Sequence, residues 1–210
     1  GAWSSPAGQP VDFTIWKAKD GTWQLVSCVR RTRFPGGGRL FFRWEARAVD
    51  GPYEARGIFL TSDDPPGHAQ GHIQAPHVVF DGQRYAMIYN SGGQALLRTS
   101  EDGKTFVPVP AHDGSPGLFA VGRDVMILDT RAHDGLFRAY YTAVTPPLHP
   151  EKRNHTVAMR AARELVGPWS EPVDIGVATP TAAGDAYPFI DAESPFVLER
   201  GGHYYRWEQM

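Results

Sequence analysis

The sequence predicts an all-β fold made of repeated antiparallel units. The 23 glycines and 18 prolines form about a fifth of the 210 residues, well above the usual share of roughly 12%, so turns are frequent and long helices few. The 6 tryptophans, 8 tyrosines and 11 phenylalanines favour strands. The strongest observation is a hairpin pattern, two apolar alternating runs joined by Asp-Gly or Gly-Gly, that recurs along the chain.

Composition and charge narrow the classes of function. The net charge of −2 provides no basic face for nucleic acid. No apolar run approaches the roughly 20 residues that cross a membrane. Cys28 is the single cysteine, which excludes an internal disulfide and a cysteine-based zinc site. The length is that of one domain, which we expect to cover residues 1–210, and the oligomeric state stays open.

The repeated hairpins set the period of the fold. Their turns are predicted at Asp20-Gly21, Asp81-Gly82, Asp134-Gly135 and Gly201-Gly202. Such dipeptides are typical of type I′ turns, in which both central residues need positive φ. The turns follow one another at intervals of about 50 to 70 residues, and strands throughout such a period are typical of a β-propeller.

Each period is interpreted as one four-stranded blade. The predicted blades cover approximately residues 11–61, 74–110 and 121–176, with a partial fourth over 191–210. Segments rich in Pro, Gly, His and Asp near 62–73, 110–120, 144–154 and 177–190 are predicted to connect strands or blades. Three and a half blades do not close a ring, so we expect a propeller that is incomplete at its C-terminus. Five blades at this period need on the order of 300 residues.

Polar residues at the start of each blade form the candidate site. The first strand of a blade lines the central channel, so its first residues converge at the channel mouth. Three blade starts carry a carboxylate, at Asp12, Asp124 and Glu193, and the remaining one carries the amide of Gln74. Glycosidic-bond cleavage requires one protonated and one ionised carboxyl, and a third negative charge raises the pKa of the acid. A single acidic residue usually lies in a solvated turn or caps a strand. The recurrence of acidic residues at several blade starts is therefore what favours a catalytic site.

Three sequence blocks resemble those of a known group of enzymes. Val11-Asp12-Phe13, Gly122-Arg123-Asp124-Val125 and Ala192-Glu193-Ser194-Pro195-Phe196 resemble the catalytic blocks of five-bladed β-propeller glycosidases. These are glycoside hydrolase family 43 and its relatives in families 32, 62, 68 and 117, and the resemblance covers almost the whole chain. It implies a five-bladed propeller with Asp12 as general base or nucleophile and Glu193 as general acid. It implies that Asp124 tunes the pKa of the general acid, orients it or stabilises the transition state.

Neighbours of these blocks are candidate substrate contacts. Arg123 is expected either to bind substrate hydroxyls or to hold a catalytic carboxylate in place. His77 follows Gln74 within Gln-Ala-Pro-His, and we expect either a sugar contact or a histidine that bonds to backbone. Gln74 itself is a candidate substrate-binding amide.

Aromatic residues divide between two expected roles. Phe13 and Trp3 are candidate subsite walls, because aromatic faces stack on the apolar faces of sugars. The tryptophans within the repeat, Trp16 and Trp44 among them, are expected in the core between blades.

The sequence therefore predicts a glycoside hydrolase of the family 43 type that acts on a poly- or oligosaccharide. Retention or inversion of the anomeric centre stays open, because the separation of the carboxylates decides it. The alternative is a non-catalytic propeller that binds glycan or protein. The missing proline after Asp12 and after Asp124 favours that alternative. A sialidase-like enzyme would need an arginine cluster and a Tyr–Glu pair, which Arg123 alone does not supply.

Cofactor and location follow only weakly from the sequence. No organic cofactor is implied, and no metal-ligand spacing is present, although a calcium ion in the channel is compatible with the resemblance. Cleavage of external polymers would suggest secretion or a periplasmic location, and the compartment stays open.

Overall fold

The computed structural model describes residues 8–33, 38–62, 72–145, 154–176 and 192–209. These residues form 15 strands and one four-residue helix, α1 (Arg131–Asp134). The strands make four antiparallel sheets that follow the order of the chain, except that the last strand of the second sheet pairs with the third strand of that sheet. No helix in these ranges is long and apolar enough to cross a membrane. The predicted all-β class with four-stranded antiparallel blades is confirmed.

Apart from that strand, the sheets are meanders of successive strands. The first contains β1 (Gln9–Lys17), β2 (Trp23–Arg30), β3 (Leu40–Ala46) and β4 (Glu54–Thr61). The second contains β5 (Gln74–Phe80), β6 (Tyr85–Ser91), β7 (Gln94–Ser100), β8 (Val107–Val109) and β9 (Phe119–Ala120). The third contains β10 (Arg123–Asp129), β11 (Phe137–Thr145), β12 (Asn154–Ala162) and β13 (Val173–Asp174). The fourth contains β14 (Glu193–Arg200) and β15 (His203–Gln209).

The outer edge of β7 differs from the expectation. Both β8 and β9 pair with β7, at Leu97–Thr99 and at Gln94–Ala95 respectively. The segment 110–120, predicted to be a connection, therefore ends in a short strand. Two short strands therefore pair with β7 along an edge where the sequence predicts a single fourth strand.

The four predicted hairpins are present, but their turn types are mostly different. Gly201 and Gly202 have φ values of 62° and 75°, as a type I′ turn requires. The first two loops are longer, and the carboxylates of Asp20 and Asp81 accept hydrogen bonds from backbone N–H groups two residues later. The third loop is α1, which ends at Gly135 in the left-handed conformation.

The apolar core lies between neighbouring sheets, as it does between the blades of a propeller. The first and second sheets are joined by a cluster that includes Val26, Phe41, Met87, Tyr89 and Leu96. The second and third are joined by one that includes Ile88, Leu97, Ile127, Phe137 and Ala139. Met126, Tyr140 and Val197 join the third sheet to the fourth. This packing holds the first strands of all four sheets side by side.

An ion-pair cluster, which we call the outer cluster, joins the first two sheets beside the loop between β1 and β2. Lys104 Nζ lies 2.5 Å from Asp20 Oδ2 and 2.7 Å from Glu45 Oε2. These hydrogen bonds hold the pKa of Asp20 well below its usual range, and Lys104 together with Gln24 lowers the pKa of Glu45 to about 2. Both carboxyls are therefore ionised at neutral pH.

Candidate active site

The first strand of every sheet contains a β-bulge near its start. The pairing with the second strand shifts at equivalent places, namely between Pro10 and Phe13, Gln74 and His77, Arg123 and Met126, and Glu193 and Phe196. At each bulge two residues face one residue of the neighbouring strand, which bends the strand and re-aims its side chains. The four bulges are therefore one structural feature repeated in each sheet.

Three of these bulges hold a non-glycine residue in the left-handed backbone conformation. The φ angles are 48° at Ala75, 56° at Asp124 and 53° at Ser194. Non-glycine residues seldom adopt this conformation, and each such residue costs about 1–3 kcal/mol. Strained backbone of this kind clusters at functional sites, where the surrounding structure maintains it.

The three predicted catalytic carboxylates lie at three different positions of the bulge. In the four-residue segment that spans each bulge, from the last paired residue before it to the first paired residue after it, Glu193 is the first residue, Asp124 the second and Asp12 the third. The hairpin loops differ in length, so the distance of a residue from the turn does not fix its position relative to the bulge. The packing of the sheets therefore brings the carboxylates to one site, although they do not occupy equivalent positions on their strands.

A cavity of about 870 Å³ lies where the four first strands meet. Its wall includes residues 10–13, 75–77, 124–126 and 194–196, so every sheet contributes. Asp12 and Asp124 line it directly, and so does Ser194, the neighbour of Glu193. Gln74 and Glu193 are not part of the lining. The volume is within the range of small-molecule sites.

Asp124 is held by hydroxyl groups from two other strands. Its Oδ2 accepts hydrogen bonds from Ser194 Oγ at 3.1 Å and from Thr142 Oγ1 at 3.3 Å. Thr142 also accepts a hydrogen bond from the Ser194 N–H at 3.0 Å, and the N–H of Asp124 donates to Asn90 Oδ1 at 3.2 Å. Burial and then the charge of Asp12 raise the pKa of Asp124, although the hydroxyl hydrogen bonds oppose this rise.

Arg123 lies between the carboxyl groups of Glu193 and Asp124. Its Nη2 is in close contact with Glu193 Oε1, and its Nε lies 3.6 Å from Asp124 Oδ2. His155 on β12 approaches the same oxygen of Glu193 with Nδ1 at 3.3 Å. Of the two roles expected for Arg123, this geometry corresponds to holding a carboxylate.

His77 lines the cavity while its ring is bonded to the protein. Its Nε2 donates to the carbonyl oxygen of Ile127 at 3.0 Å. Burial lowers the pKa of His77 to about 4, so the imidazole is neutral at neutral pH. Of the two roles expected for His77, a sugar contact or a hydrogen bond to backbone, this geometry corresponds to the hydrogen bond to backbone.

Aromatic side chains form much of the remaining wall. Phe13 is 67% exposed, and Phe196 from the fourth sheet is 49% exposed. Trp44 and Tyr53 from the first sheet also line the cavity, with Trp44 packed against Phe42 at 4.6 Å between ring centroids. Trp16 is buried as expected, whereas Trp44 faces the cavity as well as the core. Trp3 lies outside the described residues.

Several residues of the site are not apparent from the sequence. Asn90, Thr142 and His155 come from the second and third strands of their sheets, where no local motif marks them. Ser194 is the exception, because it lies inside the block that contains Glu193. In the described part of the chain, no group of three or more His, Cys, Asp or Glu side chains has an arrangement that would hold a metal ion.

Comparison with solved structures identifies the fold. A thermostable family-43 glycoside hydrolase has a TM-score of 0.70 and 19% identity over 97% of this chain. An endo-1,5-α-L-arabinanase from Thermotoga petrophila has a TM-score of 0.69 and 12% identity over 92% of this chain. An exo-β-1,3-galactanase from Phanerochaete chrysosporium has a TM-score of 0.61 and 14% identity over 83% of this chain.

These alignments cover only part of the compared proteins. The chain spans 64%, 52% and 38% of their respective lengths. No protein-family model and no curated protein sequence matches this chain. The likeness therefore shows that the described residues have the propeller fold of family-43 glycoside hydrolases.

Proposed function

We propose that this chain belongs to a glycoside hydrolase that cleaves O-glycosidic bonds in a poly- or oligosaccharide. The observation that carries the proposal is the convergence of four bulged strands on one cavity lined by Asp12 and Asp124. Arg123 links Asp124 to Glu193 beside this cavity. The similar solved structures include proteins named as an arabinanase and a galactanase, which supports a glycan as substrate.

The proposed roles follow the different surroundings of the carboxyls. Asp12 is exposed to the cavity and acts as the base or nucleophile. Glu193 donates a proton to the leaving oxygen, and Arg123 and His155 orient its carboxyl group. The positive charge of Arg123 opposes a proton on Glu193, and the negative charges around it have to offset this effect. Asp124 supplies the third negative charge, which favours a proton on a neighbouring carboxyl. A bound sugar excludes water and strengthens these charge interactions.

The aromatic wall supports binding of a sugar ring. Phe13, Trp44, Tyr53 and Phe196 present apolar surface to the same cavity that Asp12 and Asp124 line. Sugar rings have apolar faces and polar edges, so stacking and hydrogen bonding can occur at once. Neutral His77 is compatible with a hydroxyl partner at the same wall.

The test is Glu193→Gln in the full-length gene product, with linear arabinan and β-1,3-galactan as probes. We expect hydrolysis to fall by about 10²- to 10⁴-fold, the usual contribution of a positioned general acid, while glycan binding persists. Glu199→Gln is the matched control, because Glu199 lies on the same strand and its carboxylate accepts a hydrogen bond from the N–H of Gly202, in the turn away from the bulge. Equal hydrolysis rates in the wild type and Glu193→Gln would contradict the assignment.

The alternative is a propeller that binds glycan without cleaving it. It predicts glycan binding by the wild type, no hydrolysis of any probe, and no difference between Glu193→Gln and Glu199→Gln. Reducing-sugar release and calorimetric binding, measured on the same samples, separate the two functions.

A further inference from the structure

A second cavity lies at the outer junction of the first two sheets. It has a volume of about 310 Å³ and is lined by Arg43 on β3, residues 58–60 on β4, Arg98 on β7 and residues 104–106. It shares no lining residue with the cavity at the bulges. The two cavities are therefore separate sites, and the inference below does not rest on the proposed hydrolysis.

Arg98 is a buried cation at this cavity. The residue is 9% exposed, and its Nη1 atom is buried without a hydrogen-bond partner. Across the described ranges no carboxylate forms a salt bridge with Arg98. A guanidinium remains charged at any physiological pH, and burial of an unpaired charge is strongly unfavourable. An anionic ligand in the cavity would compensate this charge.

Arg43 provides a second guanidinium on the same wall. Its Nη1 donates to the carbonyl oxygen of Lys104 at 3.1 Å, and its guanidinium lies 5.7 Å from the Phe59 ring centroid. These contacts orient Arg43, and in the described part of the chain it has no ion-pair partner. Lys104 differs, because its ammonium group is paired with the carboxylates of the outer cluster. The lining contains no acidic residue.

We propose that this cavity binds a small oxyanion, a carboxylate or phosphate group, between Arg43 and Arg98. Guanidinium groups match the geometry of both oxyanions and bind them with two parallel hydrogen bonds. The volume is about ten times the share of one water molecule, which is enough for a group of monosaccharide size. Phe59 and Phe106, with ring centroids 5.8 Å apart, provide apolar surface for a sugar that carries the carboxylate.

The test measures binding of inorganic phosphate and of glucuronate by titration calorimetry at constant ionic strength. Glucose serves as the uncharged probe, and thermal unfolding gives a second readout. We expect at least one anion to bind one-to-one and glucose not to bind. Arg98→Met should weaken anion binding by more than tenfold, whereas Arg163→Met, at an exposed arginine directly after β12, should not change it.

Each outcome either identifies the ligand or overturns the proposal. Binding of phosphate alone identifies an inorganic oxyanion, and tighter binding of glucuronate identifies a sugar acid. Absence of binding by both anions, or equal binding by Arg98→Met, overturns the proposal. Arg98→Met should be at least as stable as the wild type without anion, because it removes an unpaired buried charge. If it does not fold, Arg43→Met provides the same comparison at a partly exposed position.

Discussion

Two carboxylate clusters in this chain place the same residue types under opposite electrostatic conditions. In the outer cluster, Lys104 pairs with Asp20 and Glu45, and the pKa of each carboxyl is lowered. At the bulges, burial and the charge of Asp12 raise the pKa of Asp124. The difference shows that the surroundings given by the fold decide whether a carboxyl is fixed in its ionised form.

The two clusters also differ in what they contribute to stability. Ion pairs of the outer cluster connect two sheets and favour the folded state. The bulges combine left-handed backbone at Asp124 and Ser194 with neighbouring negative charges, which disfavour it. Substitutions in the two clusters should therefore affect activity and stability in opposite ways.

The largest expected effect is a loss of hydrolysis that occurs on substitution at the bulges and not in the outer cluster. Asp124→Asn should reduce hydrolysis by about 10²- to 10³-fold, because it removes the charge that favours a proton on the catalytic acid. Glu45→Gln, the same change of acid to amide in the outer cluster, should leave hydrolysis unchanged. The measurement is kcat on the glycan that the wild type cleaves. A comparable loss in both variants would show that the clusters do not differ in function.

A smaller effect on activity is expected from the hydroxyl groups that hold Asp124. The double variant Thr142→Val, Ser194→Ala removes two donors to the ionised form, so the pKa of Asp124 should rise further. The low-pH limb of the kcat profile should move to higher pH, with roughly tenfold lower activity at the optimum.

Thr156→Val is the matched control for the hydroxyl variant. Thr156 also lies in the third sheet, and its hydroxyl donates to the carboxylate of Asp174 at 2.8 Å. This variant should keep the profile of the wild type. An unmoved low-pH limb in the double variant would show that Asp124 does not control the profile.

The outer cluster should influence stability and its dependence on pH. Lys104→Met should lower the free energy of unfolding by about 1 kcal/mol at pH 7, within the range of partly exposed ion pairs. The pKa of Glu45 is lowered from 4.5 to about 2, so its contribution is present above pH 4.5 and is lost as pH falls towards 2. Urea unfolding from pH 2 to 7 measures both effects. Lys17→Met, at an exposed lysine of β1, should change neither.

The smallest expected effect is a gain in stability at the bulge. The pKa of Asp124 is raised in the folded state, so its favourable contribution is present below about pH 3.8 and is lost as pH rises through the folded value. Asp124→Asn should therefore raise Tm at pH 7 by the order of 2 °C, and the gain should shrink towards pH 3.8. Asp20→Asn should lower Tm instead. A lower Tm for Asp124→Asn would contradict the assigned sign.

The fold was largely predictable because hairpin signals are local. Asp-Gly and Gly-Gly between apolar runs mark all four hairpins, and their period gives the sheets. The turn geometries were less predictable, because the carboxylates of Asp20 and Asp81 close longer loops and α1 replaces the third turn. The division of one strand into β8 and β9 depends on tertiary pairing.

The site was only partly predictable because its partners come from different strands. Asp12 and Asp124 could be found from the repeat, and both line the cavity. Thr142 and His155 lie in ordinary strand sequence, and only packing of the sheets brings them to Asp124 and Glu193. No sequence signal reveals that the three carboxylates take different positions at the equivalent bulges of three sheets.

The bulge of the second sheet has a consequence for how such a site can change over evolution. Ala75 has the φ of 48° that Asp124 and Ser194 share, and it lines the same cavity without a polar side chain. Aspartate and asparagine tolerate this backbone better than alanine does. A single-nucleotide change from an alanine codon to an aspartate codon would thus add a fourth acidic group without altering the chain path. The second sheet therefore holds an accessible mutational route by which this cavity can acquire a different chemistry.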